Sequence, residues 1–260
     1  MDRRRFLATA GAALGTNALP SAVAGSPAGA DLRQVRFYSP ASQIPAPDRG
    51  RTAAVVRAEP TAESAAATRG DAHDHDGPIP LVSVDGRVAA FGSMLVPSAG
   101  QLSASENVAY ANDRLVLGIW DAILGSGTVR WDGSHEQYWD LGKFERFADR
   151  AREHGYTVRG SDDLLADLDG ADGLVITTPP AMFSPTELDA LAAFVEGGGA
   201  LFVHDQADFR GLDETDNLNA IAERLDLSFR FNADEVTDDE HNAGAPFDVL
   251  TTDYDPDLLA

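Results

Sequence analysis

From residue 128 onward, the apolar positions change period repeatedly. Continuous apolar or β-branched runs at 128–131, 156–158, 173–177, 200–203 and 227–231 have the length and texture of strands buried on both faces. Between them, apolar residues recur at helical spacing. Phe144, Phe147, Ala148 and Ala151 lie in a predicted helix over 139–154, and Leu188, Leu191, Ala192 and Val195 in one that follows Ser184. Leu218, Ile221 and Leu225 share a face over 214–225, and 162–168 reads as a helical turn. Ser184-Pro185-Thr186-Glu187 supplies an N-cap, a first-turn proline and a capping-box glutamate in order, and Gly197-Gly198-Gly199 stops the helix. Strands alternating with helices predict an α/β fold with a doubly wound, mostly parallel sheet.

The first half is patterned differently. Strands are predicted at 34–38 and 52–58. A hairpin follows, with Leu81 to Val84 and Arg87 to Gly92 flanking Asp85-Gly86, and a helix over 110–124 carries Ala111, Leu115, Ile119 and Ile123 on one face. Residues 61–78 are Ala, Asp and His in no period and read as a solvated loop, so Asp71, His73, Asp74, His75 and Asp76 are assigned to linker over a metal tract. Residues 232–260 read as an acidic, irregular tail. Its Asp234, Glu235, Asp238, Asp239 and Glu240 lack the glycine and carbonyl positions of an EF-hand loop.

Composition alters the picture in three ways. Asp plus Glu number 42 against 20 Lys plus Arg, a formal charge of −22, which excludes general affinity for nucleic acid or an anionic membrane. All but one of the basic residues are Arg, Lys143 being the exception, and Asp outnumbers Glu; we read a protein kept hydrated in concentrated salt. There is no Cys, hence no disulfide, thiolate nucleophile or lipidated cysteine. Finally, Arg3-Arg4-Arg5-Phe6-Leu7 before a weakly apolar Ala/Gly stretch predicts a twin-arginine signal over 1–30, recognised by the twin-arginine translocase, and a secreted, unanchored mature chain.

Several pieces then match a known family. Val129-Arg130-Trp131-Asp132-Gly133-Ser134-His135, His154-Gly155-Tyr156-Thr157-Val158, Gly173-Leu174-Val175-Ile176 and Phe183 to Leu201 resemble in order and spacing the GIFT domain. That module was first described in an intraflagellar transport protein and is shared by exported prokaryotic proteins. Asn217-Leu218-Asn219 and Leu225-Asp226-Leu227-Ser228-Phe229 complete the resemblance. It implies a class I glutamine amidotransferase-like, flavodoxin-like core over 126–231. The hairpin and helix that should close such a module occur instead within 31–125, so the chain is expected to be circularly permuted or a truncated tandem.

The resemblance places a glutaminase cysteine on the turn after Val203, where this chain has His204, Asp205 and Gln206. Amidotransferase chemistry is thereby excluded, no catalytic residue is assigned, and no cofactor is expected. Open α/β sheets take ligands beyond the carboxyl ends of their strands. The residues leaving the strands there are Asp132, His135, Thr177, His204 and Asp205, with Trp131 nearby to stack on a sugar ring, and Tyr138 and Trp139 beside it. The expected function is that of an exported, non-catalytic domain binding a saccharide, a small polar ligand or a cell-surface protein. Two alternatives stay open: a metal-assisted hydrolase using Asp132, His135, His204 and Asp205, and a degenerate fragment without a function of its own.

Overall fold

The computed structural model describes residues 33–49, 53–66, 72–98, 110–207 and 215–259. The predicted twin-arginine signal, Asp71 of the Asp/His stretch and Asp208, which follows the strand-end residues His204 and Asp205, lie outside them. Thirteen strands are present among the described residues: β1 (Val35–Tyr38), β2 (Gln43–Pro45), β3 (Ala54–Arg57), β4 (Glu63–Ala66), β5 (Pro80–Asp85), β6 (Val88–Phe91), β7 (Thr128–Asp132), β8 (Thr157–Ser161), β9 (Gly173–Thr177), β10 (Ala200–His204), β11 (Phe229–Phe231), β12 (Asp234–Thr237) and β13 (Asp248–Thr251). The helices are α1 (Asn112–Ile123), α2 (Glu145–Glu153), α3 (Leu164–Leu168), α4 (Pro185–Glu196) and α5 (Thr215–Arg224), with short 3₁₀ turns at Leu141–Lys143 and Pro256–Leu259.

Seven strands form the central sheet in the order β3-β5-β6-β10-β9-β7-β8. From β6 to β8 all neighbours are parallel; β5 pairs antiparallel with β6, and β3 antiparallel with β5. Counting from β7, the order is the 2-1-3-4 of a flavodoxin-like sheet, with β6 in the fifth place. The hairpin from the first half of the chain therefore extends the same sheet as the second half. Its two-residue loop has Gly86 at φ 58°, the left-handed conformation that a primed turn asks of its first central residue.

Period-2 alternation divides the core between the two faces. Ala89, Phe91, Val129, Trp131, Val175, Ala200 and Phe202 face α1 and α2, where Trp120 meets Phe147, Tyr156 and Phe202 at ring-centroid distances of 5.3, 5.3 and 5.1 Å. Val88, Ala90, Leu174, Ile176, Leu201 and Val203 face the other way, onto Leu191 of α4 and Leu218, Ile221 and Ala222 of α5.

Three expectations are corrected. The predicted helix over 139–154 begins only at Glu145, because Trp139 is drawn down to the sheet and the chain makes a 3₁₀ turn before it can wind regularly. The run at 227–231 does not join the central sheet. β11 pairs antiparallel with β2, since the place beside β10 is taken by β6. The tail is not irregular: β12 pairs with β4 and β13 with β1, so the segment read as solvated loop and the segment read as tail hold one another. Buried polar groups support these short pairs. Asp234 accepts from Ser42 N and Oγ (both 2.7 Å) and from Ser64 Oγ (2.5 Å), while Ser42 Oγ lies 2.7 Å from His75 Nε2. Asp238 caps its own turn, accepting from the backbone N–H groups of Glu240 and His241.

Candidate functional site

The switch point of this sheet lies between β7 and β9, where the strand order reverses. Asp132 ends β7 and is fully buried. Its carboxylate accepts hydrogen bonds from Ser134 N (2.9 Å), Ser134 Oγ (2.6 Å) and Gln137 Nε2, and faces His135 Nδ1 at 3.3 Å. The other end of the Gln137 amide accepts from the backbone N–H of Thr177 and lies 2.8 Å from the Thr177 hydroxyl. One side chain thus spans from the end of β7 to the end of β9, across the crevice in which such a fold receives ligands. Trp139 lies over the same edge. Its carbonyl accepts from Trp131 Nε1 (3.0 Å) and stands 2.9 Å from Thr177 Oγ1, and its own Nε1 donates to Gln206 (3.2 Å).

His135 sits between two carboxylates. Its Nδ1 side meets Asp132 and Ser134 Oγ (2.7 Å), its Nε2 lies 3.3 Å from Glu187 Oε1, and Phe183 packs on the ring at a centroid distance of 4.1 Å. Burial alone would lower the imidazole's pKa. The Asp132 hydrogen bond and charge, joined by Glu187, outweigh it and raise the value. Glu187 is held below the usual carboxylate range: burial opposes this, but hydrogen bonds from Ser184 and the nearby imidazole prevail. The same glutamate closes the predicted capping box of α4, its Oε2 accepting from Ser184 N at 2.7 Å.

His204, at the position the resemblance gives to a nucleophile, belongs to another environment. It is 1% exposed, stacks on Phe91 at 4.3 Å with planes 7° apart, and its Nδ1 lies 3.1 Å from the Ser93 carbonyl. Burial lowers its pKa to about 4, opposed by the Ser93 hydrogen bond, so the ring is neutral and Nδ1 carries the donated hydrogen. Asp205 is buried beside it, its N–H bonded to Phe91 O.

The predicted residues are therefore only partly gathered. Asp132, His135 and Thr177 form one network, and Trp131 links it to the core. Trp131 is 1% exposed and packs on Phe144 at a centroid distance of 4.4 Å with the rings tilted by 35°, so the expectation that it lies against a sugar ring is corrected: its place on the strand face shared with Val129 turns it inward. Among the described residues no group of three His, Asp or Glu is placed to hold a metal ion, and Asp132 with His135 does not converge with His204 and Asp205. Gln137 and the second role of Glu187 were not foreseen. Only the passage of the 133–143 loop back over β9 gives the Gln137 amide two partners at once.

Fold and site together define a flavodoxin-like α/β protein whose strand ends are bridged by its own side chains. The family described as a domain of unknown function, DUF4350, matches residues 144–257, from the start of α2 through β13. No curated protein matches the sequence. Two solved structures from Pseudomonas aeruginosa are similar: IMPa in complex with an O-glycopeptide, at 15% identity and a TM-score of 0.39, and the IMPa metallopeptidase, at 13% and 0.43. Each comparison covers 88% of this chain and 22% of the other, so the chain spans about a fifth of their length.

Proposed function

We propose that this chain is an exported, non-catalytic binding module on a GIFT-like, amidotransferase-related scaffold, and that its ligand is a protein of the cell surface. The observation that carries this reading is the Gln137 bridge. Asp132, Thr177 and Gln137 spend their hydrogen-bonding capacity within the protein, on Gln137 and on Ser134, His135 and Trp139, leaving little with which to recognise sugar hydroxyls or a small polar ligand at the switch point. A neutral, buried His204 stands where the resembling family carries its nucleophile, and the absence of any Cys removes that chemistry. The export part of the reading rests on the twin-arginine sequence and on the acidic, lysine-poor composition.

A panel of saccharides and small polar metabolites, tested by thermal shift in molar KCl, is expected to leave the melting temperature of the mature chain unchanged. Saturating binding to a folded state at a hundred times Kd stabilises by about 2.7 kcal/mol, well within reach of the method. A saccharide that raises the melting temperature in the wild-type chain would overturn the protein-partner reading in favour of a sugar.

A further inference from the structure

The contacts of His135 carry an inference that stands independently of what the module binds. The loop from Thr178 to Ser184 leaves β9 through a strained residue: Thr178, β-branched, has φ 28°, in the left-handed region where such side chains rarely reside. The same loop carries Met182, 81% exposed. Among the described residues, three interactions tie this loop and the helix it enters to the turn after β7, and all three are made by His135. Ala181 N donates to the His135 carbonyl (3.4 Å), Phe183 packs on the ring, and Glu187, in the first turn of α4, faces Nε2.

We propose that His135 is a pH-sensitive pin that holds the tip of the 178–184 loop, residues 181–184, against the strand ends while its imidazole is cationic and loosens it when the imidazole becomes neutral. Among the described residues, Asp132 from β7 and Glu187 from α4 are the charged groups that face the ring, one at each nitrogen. A cationic imidazole donates to both; a neutral one has a single N–H, and either tautomer turns a bare nitrogen lone pair toward a carboxylate. Ser134 Oγ lies 2.6 Å from Asp132 Oδ1 and 2.7 Å from Nδ1, and its single hydroxyl proton serves only one of them, so relief at Nδ1 costs Asp132 a hydrogen bond. Losing the Glu187 pair leaves the tip of the loop with the long Ala181 hydrogen bond and the ring contact, against the strain at Thr178, while its start stays fastened by Thr178 N to His204 O (3.1 Å) and by Asn217 Nδ2 to Pro179 O (2.8 Å).

The test uses the mature chain in molar KCl. Proton NMR follows the His135 ring, assigned by its disappearance in His135→Gln, while hydrogen exchange of a peptide covering 178–187 is measured across the same pH range and corrected for intrinsic exchange. Titration above the ordinary 6.5, with protection of that peptide falling at least several-fold through the His135 transition, is the expected result. Glu187→Gln preserves the capping box and removes one carboxylate, so it should shift the transition to lower pH and move the loss of protection with it. This variant keeps the proposal testable if His135→Gln does not fold. Protection that stays constant through the transition, or follows a different pH in Glu187→Gln, would overturn the proposal.

Discussion

Replacing Arg36 by Ala is expected to cost about 3–5 kcal/mol, the range for leaving one partner of a buried ion pair alone. Arg36 lies in β1 at 1% exposure, and its guanidinium grips Asp248 of β13 at both oxygens, with Nε at 2.6 Å from Oδ1. The pair couples the first described strand to the last across 212 residues. Asn112 completes the junction: its side chain accepts from Arg36 N (3.0 Å) and donates to Arg36 O (2.7 Å) and Leu95 O (2.8 Å), so α1 is fastened at the same point. Burial keeps the pair from being screened, and molar salt should not rescue the variant as it would a surface pair. Since whole domains are stable by about 5–15 kcal/mol, this one change removes a large share. Urea unfolding in molar KCl measures it, and the double variant Arg36→Met with Asp248→Leu should recover most of the loss, because no charge is then left buried. A single variant within about 1 kcal/mol of wild type would contradict this account of how the two ends of the chain are joined.

The second large effect is on acid stability, through His204. The folded state holds this ring neutral until pH falls to about 4, whereas in the unfolded chain it takes up a proton near 6.5. With the folded pKa below the unfolded one, the full contribution is present above 6.5 and is lost as pH falls toward 4. Between pH 7 and pH 4 the unfolded state gains about 3 kcal/mol from this one group. Carboxylates titrate in the same range in so acidic a protein, so the quantity to measure is the difference between wild type and His204→Gln. Wild type should lose about 3 kcal/mol more than the variant over that interval. Parallel losses in the two would mean that His204 is not buried neutral.

The parts of the fold that were legible in the sequence share a cause. Continuous apolar runs such as Gly173–Thr177 and Ala200–His204 can hardly be anything except strands covered on both faces, and Ser184 with Glu187 marks a helix start by its own chemistry. What escaped is the clasp between the two ends. β4, β12 and β13 are four residues long and carry Asp or Glu, too short to show a period. In a chain with 42 acidic residues, the buried Asp234, Asp238 and Asp248 also look like their solvated neighbours. Their burial depends on Ser42, Ser64, Thr61 and Arg36, which lie far away in sequence.

At the site, the topological rule for strand ends pointed to Asp132, His135 and Thr177, which the structure links in one network through Gln137. That rule selects positions and says nothing about whether they are free. Gln137 decided that, and an amide two residues beyond a histidine carries no signal until the path of its loop is known. The inward place of Trp131 is legible in the alternation along β7, which sets it with Val129 on a core face.

If the strand ends are closed to small ligands and the module works by meeting a surface protein, as we propose, photo-methionine incorporated in living cells should capture that partner. Of the three methionines, Met1 lies in the segment predicted as a signal, Met94 is 2% exposed, and Met182 stands 81% exposed on the loop beside the strand ends. Illumination should yield one discrete crosslinked envelope species, mapped to Met182 and abolished by Met182→Leu. Failure to form any discrete species, alongside a saccharide that protects the 133–137 turn from exchange, would contradict this proposal.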